Sequence, residues 1–184
     1  YQKNQKFIDS PSFIIFHRDK VFQDVKKKII KDTLILSTDY LKLIYIHDGQ
    51  PFHEKNLSIT IKMKNGQEVW MPGRADSGNL LGTARTLDGV NGNNAELEKG
   101  LLSKDGWSLI DDSKGLLFDS SEWKWVKERV PDDGIDWYFF GYGRDYLGCL
   151  KDFTKISGKI PMPPRYAFGY WWSKYWAYSE SEIR

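Results

Sequence analysis

Short stretches in which apolar and polar residues alternate fill much of the chain before its C-terminal quarter. The clearest is 57–63, where every second residue is apolar and would face a protein core. The dipeptide Asn65-Gly66 follows it and precedes another strand-like run, Gln67–Trp70. Asn-Gly between two such runs is typical of a tight β-hairpin, because both central residues of the turn need positive φ. The pattern therefore predicts two antiparallel strands with Asn65-Gly66 at the hairpin tip.

Further runs of this kind predict a mainly β protein. Strands are expected at 33–36, 40–46, 107–110, 116–118, 123–126 and 136–142. The segment Asp111–Gly115 is suited to a turn, and the nearly apolar run 136–142 is expected to be a central strand. From Arg144 to Ser157 apolar residues recur at helical spacing, and Gly158 follows as a C-terminal cap. The predicted fold of residues 1–158 is an antiparallel β-sandwich with a C-terminal helix.

The C-terminal segment differs in composition from the rest. Residues 165–179 include four Tyr and three Trp, and three prolines between 161 and 164 keep helix out of the approach. Tyr166–Trp172 is predicted to be a buried strand, and Ser179 and Glu182 have the spacing of a capping box that starts a helix. We expect 159–184 to be a linker and the beginning of a second domain, so that the chain is a fragment of a larger protein.

Composition and charge exclude several classes of function. The chain has 27 basic and 25 acidic residues, well mixed, which argues against a nucleic-acid partner. Its one basic cluster, Lys26–Lys28, is expected to be a solvated turn or sheet edge. No apolar run is long enough for a membrane span, and the lone Cys149 favours a buried packing role and a cytoplasmic location.

Few residues have the spacing of a cofactor or metal site. The three histidines are scattered, so neither a metal nor a cofactor is predicted. Asp111-Asp112 is spaced like a turn.

Asp88, in the glycine-rich loop Gly82–Gly92, could point a carboxylate toward hydroxyl groups, although Asp-Gly is most often only a turn. Aromatic rings within the predicted C-terminal strand are expected to be core, whereas those just after it are candidates for stacking on sugars.

Several segments together resemble glycoside hydrolase family 31, which includes α-glucosidases and α-xylosidases. The resemblance is carried by Asp136–Tyr146, Phe153–Gly158, Pro161–Tyr175, Gly82–Gly92 and Gly100–Trp107. It implies that 1–158 is a galactose-mutarotase-like β-sandwich, and that the C-terminal segment contains the first strand of a (β/α)8 catalytic barrel. The barrel is expected to pack on the C-terminal aromatic stretch.

The resemblance also implies an activity and a site. Family members hydrolyse α-glycosides with retention, using two aspartates on later barrel strands, and no Trp-x-Asp-Met-like segment of that kind occurs here. This chain alone is therefore predicted to be inactive and to contain no catalytic residue. Asp88, Tyr175 and Trp176 match family positions that contact the carbohydrate substrate. They are the predicted substrate-binding residues.

Two other classes of protein remain open at the level of the sequence. The chain could be a stand-alone carbohydrate-binding β-sandwich, or a protein-interaction module in which the aromatic stretch is an exposed partner surface. The reading frame beyond Arg184 would discriminate an α-glycosidase from these two classes, because an α-glycosidase continues into a barrel of about 250 residues.

Overall fold

The computed structural model describes residues 1–2, 7, 9–20, 24–83, 95–129, 134–170 and 176–184. Its largest sheet is an antiparallel meander in which each strand pairs with the next along the chain. The five strands are β1 (Lys26–Ile30), β2 (Thr33–Ser37), β3 (Leu41–Ile46), β4 (Leu57–Met63) and β5 (Gly66–Trp70). All of β1 is exposed, so Lys26–Lys28 lie on a solvated sheet edge as predicted.

Two short antiparallel pairs and a helix complete the described architecture. The strands are β6 (Ser108–Asp111), β7 (Leu117–Phe118), β8 (Val126–Lys127) and β9 (Trp137–Phe140), with β6 paired to β9 and β7 to β8. Helix α1 spans Tyr146–Ser157, a 3₁₀ turn spans Arg165–Phe168, and α2 spans Glu180–Ile183. None of the helices in these ranges combines the length and the apolar character needed to cross a bilayer.

The core lies between the meander and the β6–β9 pair. Alternate residues of β4 (Leu57, Ile59 and Ile61) are buried together with Trp70 of β5 and Trp107, which directly precedes β6. Partly buried side chains of β3, β6 and β9 pack around this cluster. The alternation read from the sequence therefore gives the correct inner face of β4. The arrangement is mainly β with antiparallel sheets, consistent with the predicted β-sandwich.

The β4–β5 hairpin is confirmed, but its turn is one residue earlier than predicted. The turn residues are Lys64 and Asn65, and Gly66 is already the first residue of β5, with φ of +136°. In this register Trp70 lies opposite Ile59, in the middle of the buried cluster. The observed register thus places the Trp70 indole in the core. The Asn-Gly signal alone predicted a different register.

The β6 and β7 strands exist, but they do not form a hairpin across the turn at Asp111–Gly115. Each pairs with a later strand instead. The predicted central strand 136–142 is shorter, Trp137–Phe140, and within the described ranges it pairs with β6 alone. The apolar run suggested that both faces of this strand are buried. In the structure the meander covers part of β9, and α1 packs against it through the contact between the Phe153 and Phe140 rings.

Helix α1 ends at Ser157 as predicted, but it begins at Tyr146, two residues after the predicted start at Arg144. The Asp145 carboxylate accepts a hydrogen bond from the Gly148 N–H at 2.9 Å, and Gly158 has φ of +96° at the C-terminus. Cys149 is buried, and this burial raises the pKa of its thiol to about 11. The thiol is therefore protonated at neutral pH, which fits a packing role and not a nucleophile.

The predicted C-terminal strand is wrong over the part that the structure describes. Arg165–Phe168 forms a 3₁₀ turn, and Tyr166, Phe168 and Tyr170 are largely exposed, while Trp171–Tyr175 lie outside the described residues. A strand needs a neighbour for its backbone hydrogen bonds, and no described segment pairs with this one. The capping-box contact is present, because the Glu182 carboxylate accepts from the Ser179 N–H at 2.9 Å at the start of α2.

The β3–β4 loop gives a prediction about pH. Asp48 accepts hydrogen bonds from Gln50 N, Asn56 Nδ2 and His53 Nε2, which together lower its pKa to about 2. The pKa of Asp48 is below its ordinary value of 3.8, so the ionised carboxylate stabilises the loop fully at pH values above 3.8. This stabilisation is lost as the pH falls toward 2, where the carboxylate becomes protonated. The chemical shift of the Gln50 amide proton is expected to titrate with a midpoint near 2. A midpoint near 3.8 would contradict this, and Asp48→Asn should abolish the titration.

Candidate functional site

The structure places one of the three predicted sugar-binding residues. Asp88 and Tyr175 lie outside the described residues, and Trp176 is 59% exposed near the C-terminus. Their mutual geometry therefore stays a prediction. What the structure does show is how the two ends of the Asp88 loop are held.

Residues 78–82 and 98–104, on either side of residues 84–94, run antiparallel and form a stem. The Lys104 N–H donates to Gly78 O at 2.7 Å, Leu80 N–H to Leu102 O at 2.9 Å, and Gly82 N–H to Glu98 O at 2.7 Å. The stem contains no regular strand, as expected from its glycine content, and its two arms are paired by these hydrogen bonds and by an isolated bridge between Asn79 and Ser103. The ends of the glycine-rich loop are therefore held side by side.

The side chain of Asn79 locks this stem. Its Oδ1 accepts from the N–H groups of Leu81 and Gly100, both at 2.8 Å, while its Nδ2 donates to Gly100 O and to Asp76 Oδ2. The other Asp76 oxygen accepts from the hydroxyl of Ser103 at 2.6 Å. One amide thus ties both arms of the stem together, which gives the Asp88 loop a fixed base.

Two stem glycines provide a matched pair of substitutions. A Cβ on Gly100 would lie 2.6 Å from Leu81 O and 2.9 Å from Leu81 C, both backbone atoms that cannot move without opening the stem. A Cβ on Gly82 would have its nearest contact at 3.5 Å, from Glu98 O. We expect Gly100→Ala to lower the free energy of unfolding by about 1–3 kcal/mol, and Gly82→Ala to change it much less. Urea unfolding of both variants checks this, and equal effects would contradict the stem geometry.

A cluster of four charged side chains joins distant parts of the chain beside β9. Asp112 Oδ2 lies 2.8 Å from Arg18 Nη2 and 3.0 Å from Arg129 Nη2, and Asp136 Oδ2 lies 2.7 and 3.0 Å from the same two atoms. Asp112 is fully buried and both arginines are nearly so. The cluster links the N-terminal segment, the turn after β6, the exit of β8 and the start of β9.

The electrostatics of the cluster follow from burial and pairing. Burial acts to lower the pKa of Arg18, but the hydrogen bond and the charge of Asp136 outweigh it and raise the pKa above its ordinary value. Burial, together with the Asp136 charge, raises the pKa of Tyr138 to about 12. Asp112 has no surface that a sugar could reach. The cluster is therefore suited to holding chain segments together, not to acid–base catalysis on a substrate.

A cleft of about 240 Å³ opens beside the cluster and is lined in part by Arg18, Arg129, Asp136 and Tyr138. Arg18, Arg129 and Asp136 already bind one another there, and the cleft is smaller than the pockets that enclose most ligands. Among the described residues no group of three or more His, Cys, Asp or Glu side chains could hold a metal ion.

Sequence reasoning assigned Asp112 only to a turn and missed the cluster. One signal was available: adjacent residues at the end of a strand point in opposite directions, so one member of Asp111-Asp112 had to face inward. Its partners carry no such signal, because Arg18 lies 94 positions away in sequence. The fold brings them together.

Comparison with known proteins gives one short similarity. No known protein-family profile matches the chain. A stretch of 50 residues is 38% identical to "Alpha-glucosidase 2" of Bacillus thermoamyloliquefaciens, and it covers 27% of this chain and 6% of that protein. The match thus spans a small fraction of the relative's length. It relates the chain to a glycoside hydrolase.

Proposed function

We propose that this chain is the N-terminal β-sandwich of a retaining α-glycosidase of glycoside hydrolase family 31. The observation that carries the proposal is the 38% identity to an α-glucosidase over 50 residues. The β-rich fold with its antiparallel sheets and the family-like segments of the sequence support it. In this proposal residues 1–158 form a galactose-mutarotase-like domain, and 159–184 lead into a (β/α)8 barrel. The lone buried cysteine is the reason for placing the enzyme in the cytoplasm.

The chemistry would be divided between the two domains. A retaining mechanism needs two carboxyl groups about 5 Å apart, one as nucleophile and one as acid and base. We assign both to the barrel, outside this chain. Asp88 would accept hydrogen bonds from sugar hydroxyls at the barrel mouth, where the active sites of such barrels lie. Tyr175 and Trp176 would supply rings beside the sugar.

The C-terminal aromatic side chains fit a surface that a barrel would cover. Tyr166, Phe168 and Tyr170 are each exposed by more than 70%. Three large exposed rings so close together in the chain are typical of a surface that contacts another protein domain. In the proposed enzyme these rings contact the barrel.

The proposal is tested by an assay of the longer gene product that contains this chain, with the 184-residue chain as a control. We expect the longer product to release glucose from aryl α-glucosides with retention of configuration, followed by NMR, and the chain alone to release none. Failure of the longer product to hydrolyse any α-glycoside of a broad panel would overturn the proposal. Binding of α-glucans without hydrolysis would instead support a stand-alone carbohydrate-binding module.

Asp88 is tested in the same longer product. Removing one charged hydrogen-bond acceptor from a site shielded from water costs about 1.5–3 kcal/mol. We therefore expect Asp88→Ala to lower kcat/KM by roughly ten- to a hundred-fold, with the melting temperature unchanged. If Asp88 only closes a turn, the melting temperature falls and kcat/KM of the folded fraction is unchanged.

A further inference from the structure

The loop between β7 and β8 presents two tryptophans to solvent. Residues 119–125 connect the two strands, and this loop, the β7–β8 tip, includes Trp123 and Trp125. Their side chains are 88% and 75% exposed. A large apolar ring gains most from being buried, so two of them in solvent on one short loop indicate a surface that something covers.

The tip is held in shape by hydrogen bonds around one carboxylate. Asp119 Oδ1 accepts from the N–H of Ser121 at 3.1 Å, from the N–H of Trp125 at 2.9 Å and from the Ser121 hydroxyl. The Asp119 N–H donates to Trp125 O at 2.9 Å, and the Ser121 hydroxyl also contacts Trp123 O. The backbone that carries both indoles is therefore closed by its own contacts before any ligand arrives, which lowers the entropy cost of binding.

The residue between the two tryptophans points to the protein body. Lys124 Nζ lies 4.4 Å from the centroid of the Phe16 ring, a cation–π contact. Phe16 in turn packs edge-on against Phe118 of β7. Lys124 thus anchors the middle of the tip, and the flanking indoles remain in solvent.

The surroundings of the indoles favour one class of ligand. The other residues of the tip are Asp119, Ser120, Ser121, Glu122 and Lys124. The core of a protein–protein interface is depleted of charged residues, and binding to an anionic membrane needs a basic cluster. A carbohydrate offers apolar C–H faces that stack on indole rings and hydroxyls that can pair with the exposed side chains of Ser120 and Glu122. We propose that the β7–β8 tip is a carbohydrate-binding site that takes α-linked glucan chains.

The binding of a sugar is argued from the tip itself, whereas the choice of an α-linked glucan rests on the proposed function. The test uses the 184-residue chain and maltoheptaose, followed through the indole Nε1–H signals in NMR spectra. We expect two indole signals to shift, and each to be absent from the spectrum of one of the variants Trp123→Ala and Trp125→Ala. Each substitution should weaken binding by about tenfold, the loss of one stacking contact.

Two further variants keep the test sharp. Tyr40→Ala removes another exposed ring, at the β2–β3 connection, and should leave the affinity unchanged. Asp119→Ala keeps both indoles but opens the tip, and should weaken binding by a smaller factor. Binding of maltoheptaose that survives both tryptophan substitutions, or its absence up to millimolar sugar, overturns the proposal. Self-association that the same substitutions abolish would also overturn it, by assigning the rings to a second copy.

The outcome separates from that of the proposed function. A tip that binds maltoheptaose in a longer product without hydrolase activity would preserve this site and remove the α-glycosidase assignment. If the longer product hydrolyses α-glycosides but the 184-residue chain binds neither maltoheptaose nor cellohexaose, the α-glycosidase assignment stands and the proposed site at the tip is removed. Binding of cellohexaose alone would overturn the α-linked choice.

Discussion

Asp112→Ala is expected to lower the free energy of unfolding by about 3–5 kcal/mol, because it leaves two buried arginines facing one remaining carboxylate. Asp112 is fully buried and its Oδ2 contacts the guanidinium groups of both Arg18 and Arg129. Domains of this size have total stabilities of about 5–15 kcal/mol. The loss is therefore a large fraction of the total stability.

The neighbouring carboxylate is the matched control for this substitution. Asp111 is exposed, and among the described residues its carboxylate accepts from the N–H and hydroxyl of Ser113, so Asp111→Ala should cost about 1 kcal/mol. Urea denaturation of both variants at neutral pH measures the difference. If Asp112→Ala does not fold, Asp136→Ala gives the comparison, since Asp136 contacts the same arginines but is 26% exposed. Equal losses for Asp111→Ala and Asp136→Ala would mean that the cluster adds no stability.

Trp70→Ala is expected to cost about 3–5 kcal/mol, the range for removing a large aromatic side chain from a core. The Trp70 ring joins β5 to the β6–β9 pair, with ring centroids 6.0 Å from Trp107, 5.0 Å from Phe139 and 6.2 Å from Trp137. Without it the meander and the facing pair lose their central contact, and the cavity cannot close completely.

The companion variant Trp70→Phe should cost about 1–2 kcal/mol, less than Trp70→Ala, because the phenyl ring keeps most of the core contacts and leaves a smaller cavity. The Trp70 Nε1 atom is buried and has no hydrogen-bond partner among the described residues, so its loss removes an unpaired donor. Thermal unfolding followed by near-ultraviolet circular dichroism distinguishes the two variants. Similar destabilisation by Ala and Phe would contradict the assignment of the loss to the aromatic ring contacts.

Both substitutions address how the sandwich could support a site. The charge cluster fixes the N-terminal segment, the β6 turn and the start of β9, and the buried tryptophans fix the meander on that pair. The Asn79 stem then begins shortly after β5 and returns just before β6. A loop carrying Asp88 would thus leave from, and return to, the best-packed part of the protein, which is what precise positioning requires.

The sequence by itself determined the features that depend on neighbours in the chain. The alternation in 57–63 gave the inner face of β4, Gly158 gave the end of α1, and Glu182 was placed correctly against Ser179. These interactions reach over at most a few positions, so composition and periodicity are sufficient to predict them. The residues predicted for sugar binding, Asp88 and Tyr175, stay predictions because they lie outside the described part of the structure.

Only the tertiary structure decided the features that join distant segments. It paired β6 with β9 and not with β7, moved the β4–β5 turn to Lys64–Asn65, and gave 3₁₀ structure at Arg165–Phe168 where a strand was predicted. It also buried Asp112 between arginines 94 positions before and 17 positions after it. Partners at such separations leave no periodic trace in the sequence, because a strand's neighbours and a charge's counterions are chosen by the packing of the whole domain.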